Sequence, residues 1–247
     1  MTAVELTVLG CSGSYPGPAS ACSGYLVEGG GVRVLVDLGP GTLANFQVHH
    51  PIDAVDAIVL THSHPDHWVD LTGLEVAYKY HVGRQAVPVY GTAENRAKAE
   101  QLIGDLEPTF AWHDVTDGDT VEIGELLVSF SRTVHYVDTL AVRVAHRAAS
   151  TGLAYSADTG PGWSFAAFGA PIELALCEAT NLADGEGDDV LHLSARQAGA
   201  MARAAGVPRL VLTHLLPSTD PERYRAEGEA AFGGPVEIAR EHASYVV

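Results

Sequence analysis

Apolar positions fall into short runs divided by polar stretches rich in glycine and proline. Ten of these runs have the length and composition of strands: Val4–Leu9, Tyr25–Val27, Val32–Val36, Ala57–Leu60, Pro88–Tyr90, Leu126–Phe130, Leu140–Val144, Leu153–Tyr155, Ile172–Leu176 and Leu210–Leu212. A helical period intervenes where Trp68, Leu71, Leu74 and Tyr78 share one face, and Thr92 opens a second helix that runs to about Ile103. The clearest helix spans 194–206. Ser194 and Gln197 form a capping box, Gly206 ends the helix, and Pro208 follows. Strands alternate with helices in both halves and no Pro/Ser-rich linker divides them, so residues 1–247 are expected to form a single α/β domain with two sheets. The acidic stretch Asp184–Asp189, with two glycines, predicts a solvated turn and is the best candidate for a mobile loop.

Composition narrows the class. The chain is 47% apolar and 18% charged, which excludes a disordered or coiled-coil architecture. No apolar run approaches the roughly 18 residues of a membrane span, and the start MTAVELTVLG lacks a basic leader, so a soluble cytoplasmic protein is expected. Cys11, Cys22 and Cys177 lack the spacing of a disulfide framework or a cysteine zinc site. Fourteen basic residues against 31 acidic ones give a net charge of −17. A long nucleic acid would be repelled by such a surface, whereas a small phosphate ester at a local metal site would not.

The chemistry concentrates in His62-Ser63-His64-Pro65-Asp66-His67, directly after an apolar strand. His62 and His64, two apart on extended chain, point the same way; Pro65 then turns the chain so that Asp66 and His67 face a second point. Four such side chains in six residues are too many for one ion with an open position. A pair of ions is the economical reading, and imidazole with carboxylate suits Zn²⁺, Mn²⁺ or Fe. The string IVLTHSHP at 58–65 is echoed by LVLTHLLP at 210–217. If both strand ends meet at one site, a duplicated half-domain is implied.

With this cluster the sequence resembles the metallo-β-lactamase superfamily, whose αββα sandwich holds a dinuclear site between two sheets. Thr133-Val134-His135, Tyr155-Ser156-Ala157-Asp158-Thr159 and Thr213-His214 resemble its later motifs, in order. The resemblance implies His62, His64, His135 and Asp158 on one divalent ion, and Asp66, His67, His214 and Asp158 on the other, with Zn²⁺ as the first expectation. His49, His50, His81, His113, His146 and His242 match nothing, and His-His-Pro at 49–51 predicts a surface turn.

Two features resemble the phosphodiesterase branch that includes ribonuclease Z. Glu178 lies in Cys-Glu-Ala-Thr after the strand at 172–176, and His192 lies in Leu-His-Leu-Ser before the capped helix. In that branch a matching histidine, oriented by an acidic residue, serves the leaving group. Bacterial ribonuclease Z carries a long tRNA-gripping arm between the motifs matched by His135 and Asp158, whereas only 22 residues separate them here. The strings Val8–Ser14, Ser23–Leu26 and Leu191–Ser194 look closest to the atypical class II cyclic-nucleotide phosphodiesterases of actinobacteria. The implied activity is hydrolysis of a small phosphodiester such as a cyclic nucleotide, with Asp66, His192 and Glu178 as catalytic groups. A tRNA 3′-processing endonuclease and a thioester or lactone hydrolase are the alternatives, and a homodimer is expected by the same resemblance. The Gly10–Gly17 loop, with Ser12 and Ser14, is a candidate phosphate cradle or simply a tight turn. Trp68, Tyr80 and Trp163 are candidates to stack on a base, with a core role as the default.

Overall fold

The computed structural model describes residues 3–247. Along the first half run β1 (Glu5–Gly10), β2 (Gly24–Gly29), β3 (Val32–Leu38), β4 (Ala57–Leu60), β5 (Val87–Gly91) and β6 (Phe110–Asp114). The second half supplies β7 (Thr120–Ile123), β8 (Leu126–Arg132), β9 (Leu140–His146), β10 (Leu153–Tyr155), β11 (Leu174–Glu178), β12 (Arg209–Thr213) and β13 (Val236–Ile238). Each half builds one sheet in chain order, and β14 (Ser244–Val246) returns to pair with β1.

The two-residue period of the strands sorts side chains into layers. Val8, Tyr25 and Val34 of the first sheet meet Val128, Val142 and Leu176 of the second in a core between the sheets. The alternate residues Leu9, Leu26 and Leu35 face outward onto α1 (Thr42–His49), α2 (Leu71–Ala77) and α3 (Ala93–Ile103). Ala175 and Leu212 likewise pack on α4 (Ala195–Ala204) and α5 (Pro221–Phe232). The result is the expected αββα sandwich, two mixed sheets flanked by helices in a single domain. No helix among the described residues is long and apolar enough to cross a membrane.

The two sheets repeat one plan. In the first, β1, β2 and β3 pair antiparallel and β3 to β6 parallel. In the second, β8, β9 and β10 pair antiparallel and β10 to β13 parallel. Counted this way β4 corresponds to β11, and β5 to β12. The two echoed strings therefore follow β4 and β12, which are not equivalent strands. The repeat is real, but the echo lies one strand out of step with it.

Several elements depart from the expectation. α1 starts at Gly41 in a left-handed conformation with no side-chain cap, so no capping sequence announces it. α5 carries few large apolar side chains and buries only Tyr224 and Gly228, which hides its period, although Asp220 caps it and Pro221 opens it. The β6, β7, β13 and β14 strands are short and lie at or near sheet edges. Glu178 is the last residue of β11 and does not follow it. His49 closes α1 instead of lying in a turn, and its Nε2 meets His242 Nδ1 at 2.9 Å. The capping box of α4 forms as expected. The acidic stretch before α4 is tethered, because Glu186 accepts from Ser194 Oγ and from Arg196.

Candidate metal centre

Facing strand ends from the two sheets converge on one point. From the end of β4 come His62 and His64, then a 3-10 turn, Pro65–His67, carries Asp66 and His67. The β8–β9 connection brings His135, and the ends of β10, β11 and β12 bring Asp158, Glu178 and His214. His192 precedes the α4 cap. The structure brings all seven residues expected as ligands together, and His192 with them. One donor atom from each of His62, His64, His135 and Asp158 lies within 4.8 Å of the others, as do donors of Asp66, His67 and His214.

Asp158 stands between the sets and gives one oxygen to each. Its Oδ2 is 3.5 Å from His62 Nε2 and 3.7 Å from His135 Nε2. Its Oδ1 is 3.3 Å from His67 Nε2 and 3.5 Å from His214 Nε2.

The outer nitrogens explain why these inner ones carry lone pairs. His67 Nδ1–H donates to Asp37 Oδ2 (2.8 Å), and His135 Nδ1–H donates to the Leu191 carbonyl (2.9 Å). The hydroxyls of Thr61 and Thr180 donate to Asp37 and Glu178, so they accept from His62 Nδ1–H and His214 Nδ1–H. In the neutral rings that a metal requires, Nε2 of all four then points inward with a lone pair. His67 Nε2 and His214 Nε2 are then two acceptors only 3.2 Å apart, a spacing that needs a cation or a proton between them, and His135 Nε2 is 3.1 Å from His64 Nδ1. Tetrahedral donors about 2.0–2.1 Å from a metal are about 3.3–3.4 Å from each other, close to these spacings. His62 Nε2 and Asp158 Oδ1 are also buried without a hydrogen-bond partner among the described residues. The residues present therefore fit a pair of divalent ions.

Electrostatics agree. Burial disfavours charge on His67, yet Asp158, Asp66 and Asp37 outweigh it and hold its pKa well above the ordinary value. Burial likewise opposes ionisation of Asp158, but His214, His67 and His62 push its pKa well below the carboxylate range. This ring of carboxylates calls for positive charge at its centre.

Backbone geometry supports the placement. Asp37, Ala157 and His214 adopt left-handed φ of 60°, 50° and 57° at the ends of three strands. Each costs on the order of 1 kcal/mol, a strain held by the surrounding structure. Two glycines permit close approach: a Cβ at Gly13 would collide with the His214 carbonyl, and one at Gly39 with the Asp66 carbonyl.

Beside the two sets lies a second pair. His192 Nδ1–H donates to Glu178 Oε1 (3.0 Å), and Glu178 is wholly buried, also accepting from the Thr159 and Thr180 backbone N–H groups. Burial lowers the His192 pKa, but the hydrogen bond and charge of Glu178 prevail and raise it to about 9. Because Glu178 also accepts from the Thr180 hydroxyl, one carboxylate orients both His192 and His214.

Some expectations change. Ser14 N–H donates to Asp66 Oδ2 (3.0 Å) and Ser12 Oγ bonds Ser20 Oγ, so the Gly10–Gly17 loop positions Asp66 and is not a phosphate cradle. Trp68 and Trp163 are buried core residues whose indole N–H groups bond Ser63 O and Ser131 Oγ, which removes them as base-stacking groups. Asp37, Thr61 and Thr180 were not singled out from the sequence. Asp37 is the penultimate residue of β3, in Val-Asp-Leu-Gly, and only the sheet pairing shows β3 to be the counterpart of β10, the strand leading to Asp158. The six unmatched histidines lie outside the centre; His113, for example, stacks on Tyr90.

Residues 32–215 match the family model described as "Beta-lactamase superfamily domain". A protein of Mycobacterium tuberculosis described as uncharacterized is 34% identical over 246 residues, 96% of this chain and 89% of its own. The probable metallo-hydrolase YhfI of Bacillus subtilis is 30% identical over 96% of this chain and 97% of its own. A crystal structure of YhfI, described as a metallo-beta-lactamase fold protein, aligns with a TM-score of 0.91 and 28% identity over 100% of both chains. Ribonuclease Z of Methanopyrus kandleri is 31% identical over 91% of each chain. The family match spans β3 to β12 and every strand end that meets at the centre, and the chain belongs to the metallo-β-lactamase superfamily.

Proposed function

We propose that this protein is a dinuclear metallo-hydrolase of small phosphodiesters, with cyclic nucleotides as the leading substrate class. The observation that carries this reading is the pair formed by buried Glu178 and half-buried His192 beside the two donor sets. His62, His64, His135 and Asp158 would hold one ion; Asp66, His67, His214 and Asp158 would hold the other. Zn²⁺ suits this histidine-rich set best. When bound, the ions supply Lewis acidity toward the phosphoryl group and make water acidic enough to attack near neutral pH.

The chain's own groups do the rest. Asp66, fixed by Ser14 N–H, offers a carboxylate to orient the attacking water. Displacement expels an alkoxide, a poor leaving group that needs a proton. His192 can carry one on Nε2 while its Nδ1–H stays on Glu178, whose charge favours the protonated ring. A thioester expels a thiolate that departs without such a proton, so its hydrolysis gives no reason for that second pair; a lactone, which also expels an alkoxide, is set apart by turnover.

Substrate size follows from shape and charge. Between His135 and Asp158 the chain forms only the β9–β10 hairpin and its flanking turns, and the net charge is −17. Neither favours a grip on tRNA. The test is turnover of bis-p-nitrophenyl phosphate, 2′,3′- and 3′,5′-cyclic nucleotides and precursor tRNA, with metal analysis. Cyclic nucleotides should be cleaved fastest; faster processing of precursor tRNA would overturn the small-substrate reading.

A further inference from the structure

Beside the metal centre one aromatic ring is exposed and yet fixed. Tyr136 follows His135 and is 60% exposed. Its hydroxyl donates to the Asp189 carbonyl (3.3 Å) and accepts from Leu191 N–H (3.4 Å), so the segment before α4 holds the ring's far end. The ring centre is 5.2 Å from that of His135 and 6.4 Å from that of His192. Tyr80 is as exposed, but its hydroxyl has no such anchor among the described residues.

Tyr136 borders a cavity of about 410 Å³ lined also by Glu94, Arg132, His135 and Asp138. The charges there are already matched: Arg132 pairs with Asp138, and Glu94 with Lys98 at 3.0 Å. A cavity with its charges neutralised, bordered by a rigid aromatic face, fits a flat, uncharged ring. In a nucleotide a single sugar separates the base from the phosphate, and the Tyr136 ring is centred 6.4 Å from that of His192, the histidine proposed to serve the leaving oxygen.

We infer that Tyr136 is the stacking platform for the nucleobase of the substrate, which rests on the phosphodiesterase reading above. An aromatic platform recognises any base by its face and favours purines by area. The experiment compares kcat/KM for 3′,5′-cyclic AMP with that for the corresponding abasic ribose cyclic phosphate, in wild type, Tyr136→Leu and Tyr136→Phe. Wild type should prefer the nucleotide. Tyr136→Leu should lower that preference roughly 10–100-fold, the scale of a lost base–aromatic stack, mainly through KM for the nucleotide. Tyr136→Phe should retain most of it. An unchanged preference in Tyr136→Leu overturns the inference, as do equal losses on both esters, which would assign the ring to positioning His135 and His192. If wild type cleaves neither ester, it is the phosphodiesterase reading that fails; if it cleaves both without preference, only the platform fails.

Discussion

The two sheets share a strand plan but contribute to the centre in different ways. The first concentrates His62, His64, Asp66 and His67 in six residues after β4. The second scatters its share over His135, Asp158, Glu178, His192 and His214, each from a different strand end or loop. The dense half can be recognised locally, because its spacing alone places the donors. The scattered half has meaning only once β8 to β12 are packed side by side. Asp158 joins the halves, and Asp37 and Glu178 support them alike. Asp37, next to last in β3, anchors His67; Glu178 ends β11 and, through Thr180, anchors His214.

The largest effect should come from breaking the junction. Asp158→Ala removes a donor from both sets, so metal analysis should find both ions depleted and turnover reduced to background. His214→Ala, a change within one half, should chiefly empty one site. Two full metal equivalents in Asp158→Ala would dissolve the shared-carboxylate picture.

Next comes the pair that belongs to the second sheet's side alone. His192→Ala should keep both ions and the fold but lose roughly 10²–10⁴-fold in turnover of alkyl or ribosyl leaving groups. With p-nitrophenolate, which departs without a proton, the loss should be far smaller. Glu178→Gln should show the same selectivity more weakly. Parallel losses for both leaving groups would move His192 from proton delivery to positioning.

The two halves should also differ in acid–base linkage once metal is removed. His192 is raised from its ordinary 6.5 to about 9, so the folded state binds its proton more tightly than the unfolded chain does. Its contribution is fully present below about pH 6.5 and is lost as pH rises to about 9, roughly 2–4 kcal/mol in all. Urea denaturation of the chelated protein at pH 6 and pH 9.5 should show that loss, and His192→Ala should show a smaller one, the remainder belonging to His67, whose pKa is also raised. A slope unchanged in the variant would place it elsewhere, with His67 the next group to test.

The finest comparison is between the anchors. Asp37→Asn should weaken metal binding about 10–100-fold, as removal of an outer partner usually does. Thr180→Val should do the same for the set containing His214. Competition with a chelator measures both; a loss in only one variant would show that the halves are held with unequal stiffness.

Much of this was legible in the chain. The H-x-H-x-D-H cluster encodes its own geometry, because extended backbone alternates side chains and Pro65 enforces the turn. The strand runs and the capping box of α4 come from periodicity and local hydrogen bonding, which travel with the sequence. His135, Asp158 and His214 could be found only by likeness to known motifs, since a single histidine or aspartate at a strand end looks the same whether it binds a metal or caps a turn.

The rest was decided by tertiary structure. Asp37 and Thr180 gained their roles because packing laid β3 beside β4 and brought the Thr180 segment against His192 and His214. Trp68 and Trp163 proved to be core because long-range packing covers their rings, while Tyr136 stayed in solvent with its hydroxyl tied to residues more than fifty positions away. The equivalence of β4 with β11 also appeared only in the sheets, where order and direction are set by non-local hydrogen bonds. Local spacing determines which donors can act together. Only packing determines what stands behind them, because the free energy that orients a buried imidazole comes from partners distant along the chain.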